Sequence, residues 1–307
     1  MTESPPARHV LGTRVDATSY DDAARRVVRW AATRESRYVC VATVHMVMEG
    51  HDDRAYQRIV NGADLVTPDG MPLVWALRLL GVPGATRVYG PELTSTLCAR
   101  AAEESVPVGF YGSSPAVVDA MVRRLARAVP GLHVAYRWCP PFRELSAEED
   151  ARVVREINAS GAGILFVGLG CPKQERWMAA HRGRVRAVMV GVGAAFDFIA
   201  GAKRQAPPVV QRLGMEWCFR LLCEPRRLWK RYLHHNPRFV ALLAAQLRRE
   251  FVRGGALGAP AGPAPREPER GTWSPSSEKA DSVATEPAPV VRPHAPPTRP
   301  PTLDAGP

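Results

Sequence analysis

At 307 residues and 46% hydrophobic composition, the chain is long enough for one large folded domain plus an appendage, which excludes a wholly disordered or fibrous protein. Its six cysteines (40, 98, 139, 171, 218 and 223) form no CxxC pair and match no zinc or small-disulfide spacing, so a reduced, cytosolic protein is expected. Of the formal net charge of +11, nine charges fall between Lys203 and Arg253, where 12 Lys and Arg meet three Glu, so the basic character is a local device for anionic lipid, phosphate or nucleic acid.

The first residues lack the basic start, apolar run and cleavage site of a secretory signal, and no apolar stretch approaches the ~18 residues of a spanning helix. Membrane contact is therefore expected to be peripheral. From Ser19 a capping-box-like Ser-x-x-Asp precedes Ala23, Val27, Val28 and Ala31 at helical spacing. β-Branched and aromatic runs then predict strands at Tyr38–Thr43, Asp64–Thr67, Pro107–Gly112, Gly163–Gly170 and Val185–Gly193, with helices at Pro115–Val129 and Ala147–Asn158 between them. The alternation predicts an α/β fold: a Rossmann-like, mostly parallel sheet core over residues 1–201, with ligands at the carboxyl edge of the strands. From 202 to 253 the pattern becomes a basic helical appendage rich in Arg, Trp and Leu and punctuated by Pro207, Pro208, Pro225 and Pro237. Residues 254–307 hold 13 of the 29 prolines and little to bury, the composition of a disordered tail.

Candidate chemistry falls at strand ends. Thr43-Val44-His45 follows the first predicted core strand, and Thr67-Pro68-Asp69-Gly70 follows the next. On spacing alone the Thr43 hydroxyl reads first as a helix cap, and Asp69 as part of a Pro-Asp-Gly turn. The run from Gly168 to Glu175 is a glycine turn entering a helix with Lys173 and Gln174, which suits a phosphate. In Gly191-Val192-Gly193-Ala194-Ala195-Phe196 a phenylalanine replaces the third glycine of a dinucleotide fingerprint, which argues against a nicotinamide enzyme. Asp197 lies among Phe196, Phe198 and Ile199 and needs a partner, either an appendage arginine or a ligand N–H such as a uracil edge. No HExxH, His/Cys cluster or Asp-x-Asp pair is present, so no metal is expected. A departing diphosphate would instead meet Arg220, Arg226, Arg227, Lys230 and Arg231. Around Arg226–His234, Leu228, Trp229, Tyr232 and Leu233 share a helical face, the pattern either of a membrane-interface helix or of one docked on the domain. No nucleic-acid motif accompanies the basic stretch, so nucleic acid is not the expected partner.

Taken in order, seven segments resemble the WecG/TagA/CpsF family of bacterial glycosyltransferases from about Gly12 to Phe239: the Thr43 segment, Pro68-Asp69-Gly70, Arg87-Val88-Tyr89-Gly90-Pro91, Gly168–Glu175, Gly193–Phe198, Lys203–Pro207 and Glu216–Leu221. The resemblance implies an inverting, metal-independent UDP-sugar-dependent hexosyltransferase. It would move N-acetylmannosamine, its uronic acid or a related hexose onto N-acetylglucosamine carried by a polyprenyl diphosphate, in teichoic acid or other surface polysaccharide synthesis. Under it, Asp69 is the general base and Thr43 supports catalysis. His45, Phe142, Lys173, Gln174 and Asp197 hold the donor nucleotide, and Arg87, Arg220, Arg227, Lys230 and Arg231 hold diphosphate and acceptor. The family usually carries Thr-x-Asn where this chain has Thr43-Val44-His45, so an imidazole expected to titrate near neutrality replaces an amide. The implied setting is cytoplasmic, peripheral on the inner face of the membrane, on an anionic surface, with homo-oligomerisation left open. The rival reading is a non-catalytic membrane-binding or scaffold protein that retains the fold.

Overall fold

The computed structural model describes residues 5–254. The chain opens with an antiparallel hairpin of β1 (Ala7–Val10) and β2 (Thr13–Asp16). Leu11 and Gly12 both hold positive φ, 51° and 87°, the left-handed pair that lets a two-residue turn follow the strand twist. Helix α1 (Tyr20–Ala32) begins at Ser19, whose hydroxyl accepts the Asp22 N–H at 3.2 Å. Asp22 turns instead to Thr18, Arg25 and Arg26, so only half of the expected capping box forms. β3 (Arg37–Ala42) leads into α2 (Val44–Asp52) and α3 (Arg54–Asn61), which are capped by the side chains of Thr43 and Asp53. β4 (Leu65–Pro68) is followed by α4 (Met71–Leu79) and α5 (Gly90–Glu103), each with a proline in its first turn, where the missing N–H costs nothing. Next come β5 (Val108–Gly112), α6 (Pro115–Ala128), β6 (Val134–Trp138) and α7 (Ala147–Ser160). β7 (Ile164–Gly168), α8 (Lys173–His181), β8 (Val188–Gly191) and α9 (Ala195–Ala200) finish the alternating part. Helices α10 (Pro208–Arg212), α11 (Glu216–Cys223) and α12 (Pro225–Gly254) close the described chain.

Six strands form one parallel sheet in the order β4-β3-β8-β7-β5-β6. Alternation along the strands builds a core on each face. Tyr38, Cys40, Ala42, Leu165, Val167 and Met189 point to the layer containing α2, α3, α4 and α8. Val39, Val41, Ile164, Phe166, Val188 and Val190 point to the layer of α1, α5, α6 and α9. β3 sends the chain outward to β4 on one side, whereas β5 and β6 lie on the other. Such a reversal of strand order opens a crevice at the strand carboxyl ends.

The five strands expected from sequence are present; β1, β2 and β6 were not anticipated. Pro237 does not punctuate the helical segment, because α12 runs through it. Proline removes one N–H, and its ring crowds one carbonyl a turn earlier, a local defect that the surrounding packing outweighs. The face expected to unite Leu228, Trp229, Tyr232 and Leu233 is also split. Leu228, His235 and Phe239 are buried at helical spacing, whereas Trp229, Leu233 and Val240 are exposed. The inner stripe docks on α2 and joins the core through Phe239. Farther along, Gln246 accepts the Leu11 N–H at 2.9 Å and donates to the His9 carbonyl at 2.7 Å, pinning α12 to the hairpin. The expected Pro-rich tail lies outside the described residues, apart from Gly254 at the end of α12.

Candidate functional site

A cleft of about 850 Å³ opens at the carboxyl edge of the sheet, floored by the turns after β3, β4, β7 and β8 and roofed by α10, α11 and α12. The β3–β4 register pairs Ala42 with Pro68, and the Asp69 N–H continues the ladder to the Ala42 carbonyl at 2.9 Å. Thr43 and Asp69 are thereby set side by side, one position beyond the paired strands. The Thr43 hydroxyl caps α2 by accepting the Met46 N–H at 3.3 Å, and its own proton stays available to a ligand in the cleft. The cap and binding readings are thus compatible.

Asp69 is the most perturbed carboxylate of the cleft. Its Oδ1 accepts the Gly90 N–H at 3.3 Å and lies 3.9 Å from Arg87 Nη2, while 18% of the side chain remains exposed. Burial pushes its carboxyl up to about 7; Glu216 adds to the rise, and Arg87, the Gly90 N–H and Arg220 oppose it. Arg87 is a clasp. Its Nε donates to the Asp69 carbonyl, Nη1 to Gln211 at 2.9 Å and Nη2 to Glu216, and its guanidinium lies 4.1 Å over the Tyr89 ring. With all three nitrogens engaged, Arg87 ties the Asp69 turn to α10 and α11.

Arg220, Arg227 and Arg231 also line the cleft. Arg227 pairs with Glu224, but Arg220 and Arg231 pair with no carboxylate among the described residues. Arg220 Nε is buried without a hydrogen-bond partner, and its guanidinium sits 5.5 Å over the Phe198 ring. Burial lowers the Arg231 pKa, and Arg220 and Arg227 lower it further by repulsion. Concentrated positive charge in which only Arg227 forms an ion pair among the described residues suits an anion.

Gln174 is buried in the wall. Its Oε1 accepts the Gly170 N–H at 3.2 Å and its Nε2 donates to Glu175 at 2.7 Å. Glu175 is 0% exposed and also accepts the Tyr56 hydroxyl at 3.0 Å; burial raises its pKa. Gly191 makes room for this arrangement, since a Cβ there would stand 2.6 Å from Met178 and 3.1 Å from Gln174. The Gly170 amide is thus held inside the protein and is not presented to a phosphate, and Lys173 is exposed outside the cleft lining. Phe196 packs its ring against Gly168, where a Cβ would lie 2.8 Å away, so the phenylalanine fills a close-approach position.

Known proteins match most of this chain. The model of the glycosyl transferase WecG/TagA/CpsF family matches residues 8–252. The chain belongs to this family. A relative from Bacillus spizizenii, named N-acetylglucosaminyldiphosphoundecaprenol N-acetyl-beta-D-mannosaminyltransferase, is 30% identical over 204 residues, covering 66% of this chain and 77% of the relative. A protein of the same name from Staphylococcus aureus strain NCTC 8325 is 28% identical over 243 residues, covering 78% of this chain and 93% of the relative.

In this WecG/TagA/CpsF family member the remaining candidate residues scatter. His45 lines the cleft, but it does not titrate near neutrality as expected. Burial, with Arg231 and His235 nearby, brings its pKa down to about 3, so the ring is neutral. Asp197 is not in the lining, which passes from Ala195 to Phe198; it is paired with Lys203 at 3.7 Å. Its partner is therefore a lysine that neither sequence reading named. Lys230 lies outside the cleft over the Trp229 ring at 5.6 Å, and Phe142 is 105% exposed on the loop after β6. Sequence reasoning gave no role to Glu175, Glu216, Gln211 or His235. An acid in an otherwise apolar stretch was the only local signal, and it applied to Glu216 alone.

Proposed function

We propose that this chain transfers N-acetylmannosamine, its uronic acid or a related hexose from a UDP-linked donor to N-acetylglucosamine on a polyprenyl diphosphate, with inversion, at the inner face of the membrane. The observation that carries the reading is the pairing, within one cleft, of a carboxylate tuned to about 7 with two arginines, Arg220 and Arg231, that form no ion pair among the described residues. A base near neutrality takes the proton of the attacking acceptor hydroxyl, and inversion requires only one such group. Asp69 Oδ2 accepts no hydrogen bond among the described residues, which leaves it available for that proton. Negative charge growing on the leaving diphosphate falls to Arg220, Arg227 and Arg231. Because these cations supply the compensation, the transfer step itself needs no divalent ion on the diphosphate. Thr43 and the neutral His45 supply polar contacts to the sugar from the floor, and Gln174 supplies one from the wall. The names of the two relatives support the mannosaminyl group and the lipid-linked acceptor.

No helix among the described residues is long and apolar enough to cross a membrane. Trp229, Leu233 and Val240, exposed on α12 among Arg226, Lys230 and other basic residues, favour contact with an anionic bilayer surface, bringing the cleft to an embedded acceptor. The test is a donor screen with purified protein, synthetic lipid-linked N-acetylglucosamine and a panel of UDP-sugars. Transfer from UDP-N-acetylmannosamine, unchanged by added Mg²⁺ or Mn²⁺, is expected. Absence of transfer from every UDP-sugar, together with no UDP-induced rise in melting temperature, would leave the non-catalytic reading standing.

A further inference from the structure

Where α12 docks on α2, three side chains converge at the wall of the cleft. His45 and Glu49 sit four residues apart on α2, so they share a face, and His235 descends onto them from α12. The Glu49 Oε1 atom lies 3.3 Å from His45 Nε2 and 3.7 Å from His235 Nε2. All three ligand atoms fall within 4.8 Å of one another. For an ion held tetrahedrally at ~2.0–2.2 Å from nitrogen and oxygen, neighbouring ligand atoms stand ~3.3–3.6 Å apart. The two carboxylate-to-imidazole separations are close to edges of that tetrahedron.

The imidazoles also lack other partners. Neither His45 nor His235 makes a hydrogen bond among the described residues. His235 is only 9% exposed, and its Nδ1 is buried without a partner. The Nε2 edge of each ring meets no partner among the described residues but the Glu49 carboxylate, which leaves both edges free for a shared ligand. The rings meet edge to face at 5.2 Å and 76°, not stacked, so both can turn an edge toward a common point.

We propose that His45, Glu49 and His235 form a binding site for one divalent transition-metal ion of the zinc class, tying α12 to α2 at the wall of the cleft. Two imidazoles and a carboxylate are the donor set of zinc and its neighbours rather than of magnesium or calcium, which take oxygen. Arg231 beside His45 opposes a second cation, and the Glu49 carboxylate offsets it. The neighbouring group of Asp52, His234 and His235 is the weaker site, because both Asp52 oxygens already accept from Arg238, at 2.7 and 2.9 Å. The ion is a tie between helices, and its binding is read without any sugar donor, so the inference stands whatever the donor proves to be.

Chelator-treated full-length protein would be titrated with Zn²⁺ by calorimetry and with Co²⁺ by visible absorption. One ion per chain, a tetrahedral cobalt spectrum without thiolate charge-transfer bands, and a rise in melting temperature with zinc are expected. His45→Gln, Glu49→Gln and His235→Gln should each weaken binding at least tenfold, whereas His234→Gln should leave it intact. Circular dichroism of the metal-free variants separates lost ligands from lost fold. No stoichiometric binding by the parent protein, equal binding by all three variants, or loss with His234→Gln would overturn the proposal.

Discussion

Replacing Asp69 by Asn separates the chemistry of the carboxylate from its energetic cost. The folded carboxyl titrates at about 7 against an ordinary 3.8, so the fold holds the proton more tightly than the unfolded chain does. Ionising it therefore destabilises the folded state. That cost is absent below pH 3.8, grows as pH rises toward 7 and is complete above 7. Its upper bound is ~4 kcal/mol, reduced in practice because 18% of the side chain stays open to the cleft. Asparagine removes the charge and keeps the shape, while Arg87 retains Glu216 and Gln211, so the opposing loss is about 1 kcal/mol. Asp69→Asn should thus be more stable than the parent by ~1–3 kcal/mol at pH 8 and show no gain at pH 4. Urea unfolding at several pH values reads this directly. In the transferase assay the same variant should lose ~10²–10⁴ in turnover, and the parent rate should rise with pH and level off above about 7. Near-parental turnover, or a stability difference that does not change with pH, would refute both the base and the origin of its pKa.

Arg220→Leu and Arg231→Leu remove cations that form no ion pair among the described residues, so each should leave the unliganded fold unharmed while lowering UDP affinity ~10–100-fold, measurable as a smaller UDP-induced melting shift. Glu175→Leu strands the Tyr56 hydroxyl and the Gln174 amide in a buried wall and should cost ~1–3 kcal/mol in urea unfolding. Gln246→Ala breaks the two bonds that pin α12 to the hairpin and should cost about 1–2 kcal/mol, seen also as faster amide exchange at Leu11.

What was legible in the sequence is what the local chain decides. The buried strands stood out because Val39–Ala42 and Ile164–Val167 are packed on both faces and so read as continuous apolar runs. β6 was missed because it is the sheet edge, half-exposed and carrying Arg137. The hairpin was missed because its strands are four residues long and a leucine holds positive φ in its turn, outside the usual turn vocabulary. Asp69 and Thr43 were visible as polar residues ending strands. Lys173, Lys230 and Phe142 carried the right chemistry, but their direction is set by helix phase and loop path, which composition does not encode.

The electrostatic state of the site was hidden for a different reason: it is assembled from segments far apart in the chain. Burial lowers the His45 pKa first, and Arg231 and His235, both on α12, lower it further. The carboxyl of Asp69 feels Glu216 and Arg220 of α11, and Arg87 fastens that helix to the Asp69 turn. Docking of the helical segment and tuning of the base are therefore one event. If α11 and α12 lift away, Asp69 regains water and loses Glu216, both of which lower its pKa, while the arginines leave the cleft. A chain with the helices undocked would carry an ordinary, ionised aspartate with nothing to stabilise a leaving diphosphate, so the cleft becomes competent only in the closed arrangement.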